Sequence, residues 1–115
     1  MLKKIILGTL TLGIMLGSTT ISSAQTPRAI AVCKSCHFLD KGVDVKKNNL
    51  GQGLKEIVGR KISISGVESL GDTWTEEALN TWLTNPKKVK PSTKMMFRQK
   101  KEKKRAKIIE ALKAL

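Results

Sequence analysis

The sequence predicts an all-α fold with large loops. Apolar residues recur with helical spacing in two stretches, one beginning near residue 75 and one running from about residue 99 to the end. Residues 38–53 are polar and rich in Lys, Asn and Gly, which indicates a loop. No strand pattern is strong and no internal repeat is visible, and a length of 115 residues favours one domain.

The first 24 residues have the pattern of an export signal. Two lysines precede an apolar run over residues 5–15, and Ser22-Ser23-Ala24 supplies the small residues of a signal-peptidase site. An uncleaved membrane anchor is the alternative, but the run is shorter than the about 20 apolar residues of a membrane span. We therefore expect a cleaved signal peptide, 1–24, followed by one domain, 25–115.

The predicted domain begins with a short helix that leads into a cysteine motif. Thr26 is the expected N-cap, Pro27 suits the first helical position, and residues 28–32 continue the helix. Cys33-Lys34-Ser35-Cys36-His37 then contains both cysteines of the chain and its only histidine. This spacing is the attachment motif of c-type haem, in which two thiols add to the porphyrin and the imidazole binds its iron.

Three other uses of the motif explain it less well. A thioredoxin-like redox dithiol needs a surrounding βαβ pattern, which the sequence does not suggest. A structural zinc site needs four ligands, commonly Cys or His, and the chain has only three such residues. A structural disulfide would leave His37 without a role. Covalent haem on Cys33 and Cys36 uses all three residues at once.

The middle of the chain is expected to contain little regular structure. Residues 54–58 are predicted to form one turn of helix, which Gly59 ends. Residues 60–72 have no sustained period, so we expect an irregular loop with an extended piece at 61–64.

A helix is predicted next, with a capping box at Thr73-Trp74-Thr75-Glu76 and either threonine as its cap. Two glutamates in its first turn suit the helix dipole, and Asn85-Pro86 ends it. Its apolar face consists of residues at i, i+3 and i+4, namely Leu79, Trp82 and Leu83.

The final helix is predicted from Gln99 to the C-terminus. The face of this helix that lies opposite its apolar stripe is almost entirely Lys and Arg. Its apolar stripe consists of Ile108, Ala111, Leu112 and Leu115.

The connection between these two helices contains Met95 and Met96, the only methionines beyond the predicted export signal. Electron transfer favours a filled sixth position on a haem iron, and a thioether there raises the reduction potential. Two adjacent methionines cannot both point at one iron. One is therefore expected to be a ligand and the other a gap filler.

The formal net charge of +13 is concentrated between Lys87 and Lys107. A basic stripe of this kind also occurs in proteins that bind nucleic acid, but an export signal argues against that partner. We expect the charge to steer an acidic protein partner toward the molecule. A solvated surface without a partner is the alternative.

Two longer stretches resemble the class I cytochromes c. The run WTEEALNTWLTNPKKVKPSTKMMF, residues 74–97, is similar to the family motifs W-x-E-x-x-L, N-P-K-K and P-G-T-K-M-x-F, in that order without a gap. The run LKEIVGRK, residues 54–61, resembles L-x-G-x-x-G-R-K. With the haem motif, the resemblance spans most of the predicted domain. It implies the small cytochrome c fold, with three to five helices and large loops wrapped around one covalent haem c.

The resemblance also implies roles for single residues at the iron. His37 and Met95 would be its two axial ligands, and Met96 falls on a variable position. Trp82 stands where the family usually has a Tyr beside the methionine sulfur.

Further roles concern the edge of the porphyrin. Arg60 and Trp74 would bind a buried haem propionate, Thr93 would form a hydrogen bond near the haem edge, and Phe97 would cover that edge. Both tryptophans could instead be ordinary core residues, and Arg60 a surface charge.

The chain also departs from the family pattern. Gln52 stands where the family has a proline whose carbonyl orients the proximal histidine, and Ser92 replaces a glycine. The loop 62–73 is shorter than in mitochondrial members, and the chain has no Tyr to hold a propionate. The N-terminal helix is also short. We expect these changes to expose the haem more and to shift its potential.

The resemblance thus implies a monomeric periplasmic electron carrier, not an enzyme, that works in a respiratory chain. Its expected partners are a quinol-oxidising cytochrome complex as donor and a terminal oxidase or photosynthetic reaction centre as acceptor. Two alternatives stay open: a cytochrome subunit of a larger redox enzyme complex, and an open-site haem sensor or enzyme. The lysines expected to guide docking are Lys87, Lys88, Lys94 and Lys100.

Overall fold

The computed structural model describes residues 26–115, together with Gly8, Gly13 and Gly17. Apart from these three glycines, the predicted signal peptide lies outside the described residues. The division of the chain after Ala24 therefore stays a prediction. None of the helices in the described part combines the length and apolar character that a membrane crossing needs.

Helices dominate the described chain. Its α-helices are α1 (Glu76–Thr84), α2 (Pro86–Val89) and α3 (Glu102–Lys113). Two 3₁₀ helices, Arg28–Ser35 and Glu68–Leu70, precede them. Long connections join these elements except α1 and α2, which only Asn85 separates, so the predicted all-α fold with large loops is confirmed.

The helix α1 begins and ends close to its predicted limits. Thr75 is its N-cap, and the hydroxyl of Thr75 accepts a hydrogen bond from Ala78 N at 3.0 Å. The predicted capping box, in which Thr73 would pair with Glu76, is wrong, because Thr73 lies opposite Lys61 in an isolated antiparallel bridge. The buried face of α1 consists of Ala78, Leu79, Trp82 and Leu83.

A short helix follows α1 directly where the sequence predicted only a connection. Pro86 occupies its first turn, where the fixed backbone angle of proline is compatible with a helix and its missing N–H costs nothing. Lys90 N donates to Pro86 O at 2.8 Å and closes the single turn.

The helix before the cysteine motif differs in type from the prediction. Residues Arg28–Ser35 form a 3₁₀ helix, and Pro27 rather than Thr26 occupies the N-cap position, without a side-chain cap. Ile30 is fully buried in this helix, which packs against α3. This packing keeps the short N-terminal helix attached to the core.

The helix α3 begins three residues later than predicted. Gln99 N donates to Leu83 O at 2.8 Å, so the chain at Gln99 is joined to the end of α1 instead of starting a helix. Leu115, the last residue of the predicted stripe, is half-buried and lies beyond the helix. The buried apolar residues of α3 are Ile108, Ile109, Ala111 and Leu112, which join the core with α1.

The predicted loop 38–53 contains a small hairpin. Strand β1 (Lys46–Lys47) pairs antiparallel with β2 (Gly51–Gln52), with Lys46 opposite Gln52. Asn48 and Asn49 turn the chain in the left-handed region, with φ of 50° and 56°, which asparagine tolerates better than most residues. Strands of two residues are too short to show a period in the sequence.

No helix forms at residues 54–58, so that prediction is wrong. The chain makes a turn closed by Ile57 N donating to Leu54 O, with Glu56 in the left-handed region at φ 56°. Beyond Gly59 the chain pairs antiparallel with residues 72–74, through Trp74 N to Arg60 O and Ile62 N to Asp72 O, each at 2.8 Å. The expected extended piece at 61–64 is therefore present in part, and its pairing positions Trp74.

Arg105 is a buried charged residue within α3, with 9 % of its surface exposed. Its guanidinium donates to Asn80 Oδ1 of α1 at 2.7 Å. It also donates to the carbonyls of Gln99 and Lys100, at 3.1 and 2.8 Å. Arg105 thus joins α3, α1 and the segment between them.

We predict that Arg105→Met destabilises the holoprotein by about 2–3 kcal/mol, because three acceptors lose their donor while the side-chain stem is kept. The free energy of unfolding from a guanidinium titration measures the effect. Lys104→Met makes the same chemical change at the next, exposed residue, and is expected to stay within about 0.5 kcal/mol of the wild type. Equal effects of the two variants would contradict this role.

Candidate haem site

A cavity of about 420 Å³ lies within the domain, in the size range of sites that bind small molecules and cofactors. Leu79 of α1 and Ile108 of α3 contribute to its apolar lining. Eight of the nine predicted site residues line this one cavity: Cys33, Cys36, His37, Trp74, Trp82, Thr93, Met95 and Phe97.

The His37 ring is oriented by the hairpin. Its Nδ1 lies 2.7 Å from the carbonyl oxygen of Gln52, and a backbone carbonyl only accepts, so Nδ1 carries the proton and donates. This tautomer leaves the lone pair of Nε2 free for a metal. Burial lowers the pKa of His37, with the hydrogen bond to Gln52 opposing the shift, which favours the neutral imidazole that binds iron.

Gly51 permits the close approach of the hairpin to His37. A Cβ at residue 51 would overlap the His37 ring, at 2.5 Å from Nδ1, and would lie 2.8 Å from the carbonyl oxygen of Cys36. Gly51 N donates to that same carbonyl at 3.1 Å. Only glycine therefore lets the strand pass near enough for the neighbouring Gln52 carbonyl to reach the imidazole.

Both cysteines of the motif are free thiols in the cavity lining, Cys33 half-buried and Cys36 exposed. Burial raises the pKa of Cys33, and the nearby Cys36 adds to the rise. Across residues 26–115, no three or more His, Cys, Asp or Glu side chains are grouped as a metal site would need. The alternatives of a disulfide and a zinc site therefore find no support in this geometry.

The two methionines have different surroundings. Trp82 Nε1 lies 3.2 Å from Met95 Sδ and donates to it, and Met95 is half-buried. Met95 N also donates to Thr93 Oγ1 at 3.2 Å, which helps to hold the backbone of the loop. Met96 touches the cavity too, but 77 % of its surface is exposed. Of the two methionine sulfurs, the one that accepts a hydrogen bond is thus that of Met95.

Trp74 presents a buried donor without an acceptor. Only 3 % of its surface is exposed, and Nε1 has no hydrogen-bond partner among the described residues. Leaving such a group unpaired costs about 1–3 kcal/mol, so a native acceptor is expected. The ring of Trp74 packs edge-on against Trp82, with centroids 5.8 Å apart, which fixes its orientation.

Arg60 is the predicted site residue that does not line the cavity. Its guanidinium donates to the carbonyl of Gly53 at 2.7 Å and to the carbonyl of Lys55. Arg60 therefore holds the turn that follows the hairpin, and this geometry does not support a direct contact with the haem. Its predicted role at a propionate stays a prediction.

Sequence reasoning did not identify three further residues of the site. Gly51 passes against the imidazole, and the side chains of Ser63 and Gln52 line the cavity and are bonded to each other. The resemblance to the family predicted only that the backbone carbonyl at Gln52 would orient His37. Their proximity depends on how two loops meet, for which a single sequence carries no local signal.

The residues present fit a covalently attached porphyrin. Two thiols and an imidazole with a free Nε2 lie on a largely apolar cavity that also exposes a held thioether. The unpaired Trp74 N–H would supply a donor for a porphyrin carboxylate. No observation in the described residues conflicts with this fit.

Several known proteins are similar to this chain in sequence or in structure. No protein-family model matches the chain. The chain is 37% identical over 81 residues to cytochrome c2 iso-2 of Magnetospirillum molischianum, covering 64% of this chain and 79% of that protein. It is 39% identical over 75 residues to cytochrome c-550 of Ancylobacter novellus, covering 56% and 67%. A solved structure, cytochrome cH from Methylobacterium extorquens, matches with a TM-score of 0.59 at 36% identity, covering 76% of this chain and 92% of that one.

We predict that Gly51→Ala sharply lowers the yield of haem-containing protein. The added methyl group pushes the strand off the His37 ring, which breaks the hydrogen bond to Gln52 and costs about 1–3 kcal/mol by overpacking. The ratio of haem absorbance to protein in the purified product measures the loss.

Gly42→Ala is the matched control, because a Cβ there meets nothing within 4 Å. It is expected to keep the wild-type haem content. A normal haem content in Gly51→Ala would contradict the close approach described above.

Proposed function

Since the chain belongs to the class I c-type cytochromes, we propose that it is an exported one-electron carrier with His37 and Met95 as the two ligands of its iron. The family carries one covalently attached haem c and transports electrons. The observation that carries the proposal is that Cys33, Cys36, His37 and Met95 line a single cavity. When bound, haem c supplies an iron that takes up and releases one electron.

The chain's own residues would hold that iron in an unchanging environment. The Gln52 carbonyl orients His37 and increases the basicity of its free nitrogen. The Trp82 N–H holds the Met95 sulfur, which limits the directions in which the thioether can turn. A ligand set that is fixed before and after the electron arrives keeps reorganisation small and suits a carrier.

The open-site alternative is supported less well. A haem enzyme or sensor needs a vacant position beside the iron for its small ligand. Here a methionine enters the cavity from a loop that is fixed by Thr93 and by Lys87, whose ammonium donates to Thr93 O at 2.8 Å. A loop with these two bonds favours a permanent ligand.

The alternative of a subunit in a larger complex would be favoured by an apolar patch separate from the site. The described residues include four large apolar side chains that are exposed: Val32, Val45, Leu50 and Met96. Three of them, all except Val45, line the haem cavity. Their exposure therefore belongs to the rim of the site and supports a free monomeric carrier.

Export to the periplasm is supported by the sequence pattern of residues 1–24 and by the haem motif. Thioether attachment in bacteria takes place outside the cytoplasmic membrane, as the resemblance to c-type cytochromes implies. The proposed place of work is thus between membrane redox complexes, with a quinol-oxidising complex as donor and a terminal oxidase or reaction centre as acceptor.

Exposed lysines without ion pairs in the described residues support docking to an acidic partner. Lys87, Lys88, Lys94 and Lys100 are exposed, and none of them forms an ion pair within the described chain, where the pairs involve Lys41 and Lys113. Lys94 also lines the cavity, so its charge would lie close to a haem bound there. Unpaired charge of one sign at the reactive edge raises the rate of encounter with an oppositely charged partner.

We predict that Met95→Ala abolishes the iron–sulfur charge-transfer band and lowers the reduction potential, because the iron loses a soft neutral ligand that favours its reduced state. Absorption spectra and a redox titration of the purified oxidised and reduced protein measure both. Met96→Ala is the matched control and is expected to leave band and potential close to the wild type. The opposite pattern would assign the ligand to Met96.

We further predict that Lys94→Gln slows electron transfer to a terminal oxidase a few-fold at low ionic strength and flattens the salt dependence, because one steering charge is lost. Stopped-flow kinetics across a salt series measure both effects. Lys103→Gln is the control, since residue 103 lies about 140° around α3 from the cavity-lining Ile108. A rate independent of salt in the wild type would contradict docking by charge.

A further inference from the structure

We propose that the side chains of Gln52 and Ser63 form a second polar anchor for a carboxylate of the porphyrin, beside Trp74. The inference rests on the proposed function, because it concerns the haem that the cavity would hold. It makes Gln52 a positioning residue with two tasks, one performed by its backbone and one by its side chain.

The two side chains meet in the cavity lining. Ser63 Oγ donates to Gln52 Oε1 at 3.3 Å, and both residues contribute to the same cavity as His37 and Met95. Since Oε1 is the atom that accepts from Ser63, both hydrogens on Nε2 remain available. No other hydrogen bond of the Gln52 amide occurs within residues 26–115. The pair is exposed and its bond is long for a hydroxyl donor, so the amide N–H groups are free to meet a group in the cavity.

This donor belongs to the same cavity lining as Trp74, and backbone pairing joins the two segments concerned. Trp74 N donates to Arg60 O, and Ile62 N donates to Asp72 O, so the segments 59–62 and 72–74 run side by side. Ser63 directly follows the paired segment, and Trp74 lies within it. The buried, unpaired Trp74 N–H shows that an acceptor is needed in this part of the cavity.

The chemistry of this region suits a carboxylate. A buried carboxylate needs several donors to offset the loss of water. The chain has no Tyr, and Arg60 does not line the cavity, so the donors in the lining come from other residues. Lys46 lies opposite Gln52 in the hairpin and also lines the cavity, which adds a positive charge.

Gln52 would therefore act at two places in the site, at the His37 imidazole and at a porphyrin carboxylate. Its carbonyl accepts from His37 Nδ1 at 2.7 Å, while its amide reaches toward the porphyrin carboxylate with Ser63 as its support. A proline, which the family usually has here, supplies the carbonyl alone. The amide thus adds a contact at a position where the family pattern provides none.

Resonance Raman spectroscopy of the purified holoprotein tests the proposal, because the bending mode of the haem propionates responds to hydrogen bonds on their carboxylates. Gln52→Leu keeps the backbone carbonyl and the side-chain bulk but removes the amide. We expect its propionate band to move to lower frequency, in the same direction as in Trp74→Phe. Ser63→Ala is expected to produce a smaller shift, and the double variant is expected to shift no more than Gln52→Leu alone.

Ser65→Ala is the matched control for Ser63→Ala. Ser65 lies two residues further along the same segment and does not line the cavity, so its band is expected to stay at the wild-type frequency. If Gln52→Leu fails to acquire haem, Ser63→Ala against Ser65→Ala decides the question by itself.

The outcomes separate this proposal from the proposed function. An unshifted propionate band in Gln52→Leu and Ser63→Ala, with the haem and iron–sulfur absorption intact, overturns the anchor and leaves the electron carrier standing. A wild-type protein that lacks haem or the iron–sulfur band overturns the proposed function instead. A shift in Ser63→Ala that Ser65→Ala reproduces also overturns the anchor, because it reports a general change in the loop.

Discussion

The hydrogen bond between the His37 imidazole and the Gln52 carbonyl is the contact on which the rest of the site depends. It selects the tautomer with a free Nε2, and it requires the hairpin β1–β2 to pass directly against the ring. That passage is sterically open only because residue 51 is glycine. Arg60 then fixes the chain beyond the hairpin through the Gly53 carbonyl. The His37 imidazole, the proposed iron ligand, is thus positioned by residues of a loop that forms little regular structure.

Two tryptophans use the same chemical group for different purposes. Trp82 turns its indole N–H toward the Met95 sulfur, whereas the N–H of Trp74 is buried without a partner. The rings pack edge-on against each other, so the position of one constrains the other. Because a buried donor is costly when unpaired, Trp74 indicates that the cavity holds a hydrogen-bond acceptor, whereas Trp82 has its acceptor in the Met95 thioether. Both indoles thus line the same cavity with different hydrogen-bonding states.

The cationic side chains divide into two groups by their partners. Arg105 is buried, and its hydrogen bonds hold α3 to α1 and to the preceding segment. Lys87 and Lys90 donate to the backbone carbonyls of Thr93 and Ser65, which stabilises the loop that carries Met95. Lys94, by contrast, makes no ion pair within the described residues and lies at the cavity rim. The basic composition therefore serves both the fold and the surface that a partner would meet.

The sequence alone determined the features that depend on neighbours within a few residues. The haem motif, the apolar face of α1, the stop at Asn85-Pro86 and the stripe of α3 all follow from local spacing and local chemistry. The class of cofactor and the family follow from the same motifs, and the known relatives agree with them. The choice of Met95 over Met96 came from the resemblance and stays a prediction, and the structure adds that Trp82 donates to the Met95 sulfur.

Only the tertiary structure decided which distant groups meet. The Gln52 carbonyl meets an imidazole 15 residues away, and Ser63 forms a hydrogen bond with the Gln52 side chain. Arg60 bonds to the Gly53 carbonyl instead of lining the cavity, and the Trp74 N–H has no partner among the described residues. The tertiary structure also formed a hairpin where composition indicated a loop, and removed the expected turn of helix at residues 54–58. The physical reason is that a loop has no period of its own. Its path is set by the hydrogen bonds and close contacts that it makes with other segments, and these are not encoded in any one stretch of the chain.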